Sequence, residues 1–490
     1  MNDLIRIHES DNAAVALRDI AAGETARWAG GELLCVDAIP QGHKVALRNI
    51  AAGENIIKYG FPIGHAKSDV AVGCHLHTHN IKSNLSGALE YTYTPDYKEP
   101  APAEGPTFMG YPRADGSVGV RNEIWIIPTV GCVNSVARAI ETELRERTGY
   151  SEIYAYTHPY GCSQLGDDQL FTQKCLSGLI RHPNAAGVLV LGLGCENNNI
   201  PELQKVLGET DPNRVKFLVA QDVEDEITAG AELLLPLVEE AKAMQRVPCP
   251  VSKLVIGLKC GGSDGFSGIT ANPLLGRFSD WLIARGGSAM LTEVPEMFGA
   301  ETLLMNRCVS PELFDKTVHL INDFKDYFLR HGEKVDENPS PGNKAGGITT
   351  LEDKSLGCVQ KGGTAPVHDV IAYGDRVKVQ GLTLLQGPGN DLVSATAMAA
   401  AGAQIILFTT GRGTPFGCPV PTAKVATNHQ LAARKPGWID FDAGSLLEQP
   451  AETVLADFVE TVLAIASGKP VKAEGLTKTE LAIFKDGVTL

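Results

Sequence analysis

The 490-residue chain contains no run approaching the ~20 consecutive apolar residues that a membrane-spanning helix needs. Its opening stretch, MNDLIRIHESDN, has neither the basic region nor the apolar core of a secretion signal. These two absences predict a cytoplasmic protein with no membrane partner. Positive charge is also short: 43 Lys and Arg stand against 58 Asp and Glu, a net charge of −15. A field of that sign repels phosphate backbones and anionic lipid, which excludes a general nucleic-acid binder. No C-x-x-C pair occurs, no P-loop is present, and no G-x-G-x-x-G follows a strand-like run, so neither ATP nor NAD has support. The 11 cysteines, an odd count, also lack the close, even spacing of a secreted disulfide framework.

What the chain has is length for two to four domains, at ~100–200 residues each, and 52 glycines gathered in short clusters. Residues 14 to about 90 read as short β elements between turn signals, with AAGE at Ala21–Glu24 and again at Ala51–Glu54. Tyr91–Pro106 is rich in Pro and charge and reads as a linker. Beyond it come short apolar runs, each ending in a loop with Cys beside Gly: EIWIIPTVGC, IYAYTHPYGC, GVLVLGLGCEN and KLVIGLKCGGSDG. Strands buried on both faces of a parallel sheet look like this. Helical patterns at Val133–Arg147, Asp222–Met244 and Asn272–Arg285 complete an α/β alternation, in which ligands bind outside the carboxyl ends of the strands. All four Cys–Gly loops are expected to converge at that edge. A further boundary is expected at Val335–Gly347. The tail from Gln449 reads as a surface helix and a short strand.

Several constellations could carry chemistry. In CHLHTHN, His75, His77 and His79 alternate, and on a strand they would share one face. Three imidazoles in register suit Fe²⁺, Mn²⁺, Ni²⁺ or Zn²⁺; the other reading is an exposed polar strand face. Cys132, Cys162, Cys195 and Cys260 invite an iron–sulfur cluster or scattered metal ligation, while small Cys beside Gly also suits a tight strand-to-loop turn. The same loops carry His158, Glu196, Asn197, Asn198, Lys259, Ser263 and Asp264, polar groups suited to a small polyhydroxylated substrate. Arg113 and Arg121, in GYPRADGSVGVRN, form either an acid-binding loop or a Gly-turn hairpin with a solvated face. Asn338–Gly357, without helical or strand period, offers Lys344, Glu352 and Lys354 in an anion-cradle composition. Arg412 stands in GRGTPFGCP.

Taken in order, KYGFPIGHAKSDVAVGCHLHTHN, GYPRADGSVGVRNEIWIIPTVGCVN, GLGCEN, KCGGSDGFSGITANP, NPSPGNKAGGITTLEDKSLG, QGPGND and TTGRGTPFGCP resemble the altronate and galactarate dehydratase family across nearly the whole chain. The resemblance implies an N-terminal β-rich SAF-type domain (1–95), a linker (96–106) and a large α/β dehydratase portion (107–335 and 336–490). It implies a divalent metal, Fe²⁺ with Mn²⁺ as alternative. The implied reaction dehydrates a sugar acid, D-altronate, to 2-dehydro-3-deoxy-D-gluconate through an enediolate in hexuronate breakdown. His77 and His79, with Asn80, match the family's histidine motif most closely, and His75 joins them as metal ligands. Arg113, Arg121, Asn197, Ser263 and Arg412 are then expected on substrate oxygens. His158, Glu196, Asp264, Lys344 and Lys354 are the acid and base candidates, a Lys or His base being favoured. A homo-oligomer, a dimer, is expected. Competing readings are a galactarate or glucarate dehydratase, an aconitase-like iron–sulfur hydro-lyase, and a non-catalytic sugar-acid binder.

Overall fold

The duplicated AAGE segments close two matching turns in the computed structural model, which describes residues 2–475 and 479–490. Glu24 accepts from the Ala21 N–H and the Arg18 guanidinium, and Glu54 likewise from Ala51 and Arg48. Each turn feeds a short strand, Thr25–Trp28 and Asn55–Lys58. Strand pairing from Leu4 to Lys82 is all antiparallel: a four-stranded sheet (Leu4–Ile5, Ala13–Ala16, Lys44–Ala46, His75–Leu76), a hairpin, and a three-stranded sheet. No helix or strand is found from 83 to 106. That stretch runs along the large portion, where Tyr93 donates to the Cys308 carbonyl at 2.5 Å and the Asp96 N–H to Asn306 at 2.8 Å.

Residues 107–119 form a hairpin, Thr107–Pro112 against Val118–Gly119, as one of the two readings of that segment required. Then follows a four-stranded parallel sheet in the order Ile153–Ala155, Glu123–Pro128, Ala185–Gly192, Val215–Val219. Glu123–Pro128 and Ala185–Gly192 are buried at every position, the burial that continuous apolar runs predict. Helices Asn134–Thr148, Gly166–Ile180 and Ile200–Leu207 each leave a loop at the carboxyl end of one of these strands.

A second, seven-stranded parallel sheet has the order Val367–Ile371, Gly381–Leu385, Ser288–Leu291, Val255–Cys260, Ile405–Thr410, Thr422–Ala426, Phe441–Asp442. The chain enters at Val255–Cys260, lays down Ser288–Leu291, then the edge strand Val367–Ile371 and Gly381–Leu385 between those two, and returns at Ile405–Thr410 on the other side. The switch point therefore lies between the carboxyl ends of these two strands, where open α/β sheets bind ligands.

Four expectations change. Strands from before and after residue 335 share the seven-stranded sheet, so the division expected there falls inside one folded unit. The four Cys–Gly loops separate: those of Cys132, Cys162 and Cys195 lie on the four-stranded sheet, and that of Cys260 on the seven-stranded one. Asn338–Gly357 contains two helices, Pro341–Ala345 capped by Ser340 and Leu351–Cys358 capped by Thr350, the second buried at every position. A helix buried all round has no apolar period to read. The tail helix, Ala451–Ala466, is likewise not purely superficial, since Val454, Phe458, Val462 and Ile465 enter the core. Among the described residues, no helix is long and apolar enough to cross a membrane.

Candidate active site

A cavity of about 780 Å³ opens at the switch point, lined among others by Cys260, Glu296, Asn338, Asn343, Lys354 and Asp391. Cys260 ends the entry strand, Glu296 follows Ser288–Leu291 in a 3₁₀ turn, and Asn343 and Lys354 come from the two helices after Asn338. At the floor, Cys260 Sγ lies 3.4 Å from Cys358 Sγ and 2.9 Å from Lys361 Nζ. Glu296 Oε2 is 3.2 Å from the first sulfur and 3.4 Å from the second, while Lys354 Nζ donates to Glu296 Oε1 at 2.8 Å. The hydrogen bond from Cys358 carries the Cys260 thiol down to about 6 against burial and the Glu296 charge, with Lys361 adding to it. Burial would raise the Glu296 carboxyl, but Lys354, Lys361 and Lys259 outweigh it and hold it well below the carboxylate range. Lys354 stays a cation despite burial, because Glu296 faces it. The floor thus holds a thiolate, a carboxylate and two ammonium groups, all nearly buried at the bottom of the cavity. Behind it, Lys259 bonds both Glu293 and Asp391, the latter at 2.7 Å.

The histidines gather elsewhere. The strand ends at Leu76, and the chain turns at Thr78–Asn80, where Asn80 Oδ1 accepts the His77 N–H and Asn80 Nδ2 donates to the His75 carbonyl. The rings still cluster, His75 and His77 stacked at 5.6 Å and His75 and His79 tilted at 5.5 Å. A fourth ring joins them: the register Lys44↔Leu76 and Val45↔His75 sets His43 opposite His77, with ring centroids 4.9 Å apart. His43 Nδ1 and His75 Nε2 lie 3.0 Å apart, and His77 Nδ1 lies 3.2 Å from Thr349 Oγ1. Burial first, then neighbouring cations and rings, lowers His75 to about 4 and His77 to about 3, so both are neutral. The cavity and the cluster flank one segment: Asn343 lines the cavity, and the Ala345 carbonyl lies 3.3 Å from His43 Nε2.

Among the acid and base candidates, Lys354 alone lines the main cavity. His158 is buried in the other sheet, its Nε2 2.7 Å from the Pro128 carbonyl and its Nδ1 accepting from Tyr160 N–H. Glu196 folds back on its own loop, accepting from Thr129, Leu193 and Gly194. Asp264 and Arg412 line a second cavity of about 260 Å³, together with Gly42, the neighbour of His43. Asp264 is tied to Thr427, Asn428 and Ser267. Lys344 is half-buried on the helix Pro341–Ala345. Arg113 clamps the Pro183 carbonyl, Asn122 and the Arg121 carbonyl, and Arg121 holds Glu474 and three backbone carbonyls. Both arginines are thus spent on the fold. Asn197 is exposed beside Cys162 and Ser163, and Ser263 is buried with its hydroxyl unpartnered. Sequence reasoning passed over His43, Glu296, Cys358 and Lys361. Strand pairing would have pointed to His43; nothing local marks the others.

Residues 2–84 match the family described as altronate/galactarate dehydratase SAF domain. Residues 110–242 match D-galactarate dehydratase/altronate hydrolase, second domain, and 251–489 match D-galactarate/altronate dehydratase, C-terminal. The chain is 56% identical to altronate dehydratase of Bacillus subtilis over the whole of both chains. It is 52% identical to that of Escherichia coli over 99% of both. Galactarate dehydratase (L-threo-forming) of E. coli is 34% identical over 95% of this chain and 93% of its own.

The chain belongs to the altronate/galactarate dehydratase family.

In this dehydratase-family chain, two donor sets fit a metal ion unequally. The ligand atoms of Cys260, Glu296 and Cys358 lie within 4.8 Å of one another. Lys354 and Lys361 already bond the same carboxylate and thiol, however, and a dication there would stand against two fixed cations. The four imidazoles, with His75 and His77 held neutral, offer nitrogen donors matched to a borderline divalent ion. By donor chemistry the imidazoles are the better match, but among the described residues their ring nitrogens are not gathered within 4.8 Å as the atoms of Cys260, Glu296 and Cys358 are, and His43 Nδ1 lies against His75 Nε2.

Proposed function

We propose that this protein is a metal-dependent hydro-lyase that converts D-altronate to 2-dehydro-3-deoxy-D-gluconate and water. The observation that carries the reading is the end-to-end similarity to two altronate dehydratases, well above that to galactarate dehydratase. Iron(II), or manganese(II), would be held by His75, His77 and His79, with His43 beside them. A bound dication supplies positive charge for the enediolate oxygens.

The protein's own groups divide the rest of the task. The C2 proton lies α to a carboxylate and is very weakly acidic, so its removal needs a base and a fixed counter-charge. Cys260 Sγ, ionised at neutral pH on the cavity floor, takes that proton. Lys354, kept cationic by Glu296, faces the substrate carboxylate as negative charge builds on it. The amide nitrogens of Asn338 and Asn390 offer donors to the sugar hydroxyls, while Asn343 holds the wall in place through Ser263, Ser340 and Lys354. The 3-hydroxyl departs as water with the proton that Cys260 took from C2, which restores the thiolate, and the enol left behind relaxes to the 2-keto acid. The overall negative charge of the chain makes these local cations necessary for an anionic substrate. The reading includes a cytoplasmic homodimer.

Altronate and galactarate are to be assayed side by side without oxygen, with Fe²⁺ or Mn²⁺ added, following 2-keto acid. Turnover of altronate is expected, with loss on chelation and recovery on adding iron. Preference for galactarate would overturn the substrate assignment.

A further inference from the structure

Two of the eleven cysteines meet inside the protein. Cys260 ends the strand Val255–Cys260, and Cys358, 98 positions later, ends the helix Leu351–Cys358. Their sulfurs lie 3.4 Å apart, and both side chains are buried. A disulfide holds its sulfurs at about 2 Å, so rotation of the two side chains has about 1.4 Å to close.

Buried thiols in contact are ordinarily inert packing, because neither ionises. Here charge surrounds the sulfurs instead of hydrocarbon. Lys361 Nζ stands 2.9 Å from Cys260 Sγ, and Glu296 Oε2 lies 3.2 Å from Cys260 Sγ and 3.4 Å from Cys358 Sγ. The hydrogen bond between the sulfurs separates their roles: it holds Cys260 down as the thiolate and, with burial, raises Cys358 well above its ordinary value as the thiol. Access separates them too. Cys260 lines the main cavity, so a solute little larger than water approaches its sulfur from there, whereas Cys358 is not among the lining residues. A thiolate on a cavity wall, with an ammonium beside it and a thiol behind it, is the arrangement of a peroxide-reactive cysteine and its resolving partner.

We propose that Cys260 and Cys358 form a peroxide-reactive dithiol that closes to a reversible disulfide. The bond-forming chemistry is independent of the hydro-lyase reading; only its effect on turnover rests on Cys260 being the base.

In the first step Cys260 Sγ attacks one oxygen of hydrogen peroxide and the O–O bond breaks. The hydroxide that leaves takes up a proton from solvent, giving water and a sulfenic acid on Cys260. Lys361 offsets the negative charge that moves onto the leaving oxygen. Cys358 Sγ then attacks the Cys260 sulfur, the S–O bond breaks, and the hydroxyl departs with the Cys358 proton as a second water. Each sulfur loses one electron, and the two peroxide oxygens gain them. A thiol reductant reverses the bond by exchange. The closed form lacks the thiolate and ties the entry strand to the helix that walls the cavity.

The test uses the full chain, stripped of iron with a chelator so that no metal-driven radical chemistry contributes. Hydrogen peroxide is added and quenched with catalase, and free thiols are alkylated before digestion with trypsin. The peptide Cys260–Arg277 is expected joined to Ser355–Lys361, two hydrogens lighter than the two apart, and dithiothreitol should release them. In Cys358→Ser the link should be absent and Cys260 should collect as the sulfenic acid, trapped by dimedone, with the far-UV circular dichroism of the parent. Cys260 alkylated as a free thiol in the treated parent, or joined to any other cysteine, would overturn the inference. After refilling with Fe²⁺ under nitrogen, the oxidised parent should turn over altronate about 10²-fold or more slowly, the loss expected for a positioned base, and dithiothreitol should restore it. A joined peptide pair with turnover unchanged would sustain the disulfide and count against Cys260 as the base alone.

Discussion

Lys44 Nζ donates to Asp353 Oδ2 at 2.8 Å across 309 positions of the chain, both side chains fully buried. Lys58 Nζ reaches the other oxygen at 2.9 Å. One carboxylate thus ties two strands of the N-terminal β region to the helix Leu351–Cys358 that walls the cavity. Asp353→Asn would leave two buried ammonium groups without their counter-charge, at a cost of about 3–5 kcal/mol. Urea unfolding should show the loss, and the triple variant that adds Lys44→Met and Lys58→Met to Asp353→Asn should recover part of it. Burial would raise the Asp353 carboxyl, but Lys44 and Lys58 outweigh it and hold it far below its ordinary value. Its contribution is present above the unfolded value of ~3.9 and is lost as pH falls through the folded one.

Cys260 as the base predicts a rate loss with intact binding. Cys260→Ser should lower kcat by about 10²–10⁴-fold, the range for a positioned general base. The acid limb of the pH–kcat/KM profile should lie near 6 in the parent. Removing the Cys358 donor in Cys358→Ala should move that limb upward, and a limb that stays in place would count against the thiolate.

Arg121 separates a structural arginine from a substrate-binding one. Its guanidinium bonds Glu474 and the carbonyls of Val120, Ile465 and Lys469. Arg121→Ala should therefore lower the melting temperature and leave KM for altronate within about twofold, because a group spent on the fold makes no differential contact with substrate. A large rise in KM without destabilisation would restore the substrate role.

His182 predicts an acid-sensitive fold. It is fully buried against Trp125, with Nε2 3.1 Å from the Ala403 carbonyl, and burial pushes it down to about 3. The unfolded chain takes up this proton below about pH 6.5 while the folded chain does not, so stability falls on acidification. Between about pH 7 and about pH 5 this one residue should cost about 2 kcal/mol. Denaturant titrations of the parent and His182→Gln should differ in that slope, and equal slopes would remove the assignment.

Much of the fold is legible in particular residues. EIWIIP and GVLVLG can only be strands buried on both faces, and the glycines after them mark the loops. The length and order of the family's segments follow from sequence as well. The alternation of His75, His77 and His79 points to a cluster, although the strand stops at Leu76 and a turn built by Asn80 finishes the grouping.

By itself, the sequence determined the family, the α/β alternation, the antiparallel N-terminal region and the polar groups at strand ends. It did so because periodicity, turn chemistry and an ordered set of motifs are properties of neighbouring residues. The tertiary structure alone decided which groups meet. It joined strands on either side of residue 335 in one sheet, buried Leu351–Cys358, and brought Glu296, Cys358 and Lys361 to Cys260. It also parted Cys260 from the other three loop cysteines, whose sheet is a different one. Long-range pairing and burial fix these distances, and with them the charges that make a thiol a base. No local pattern encodes either.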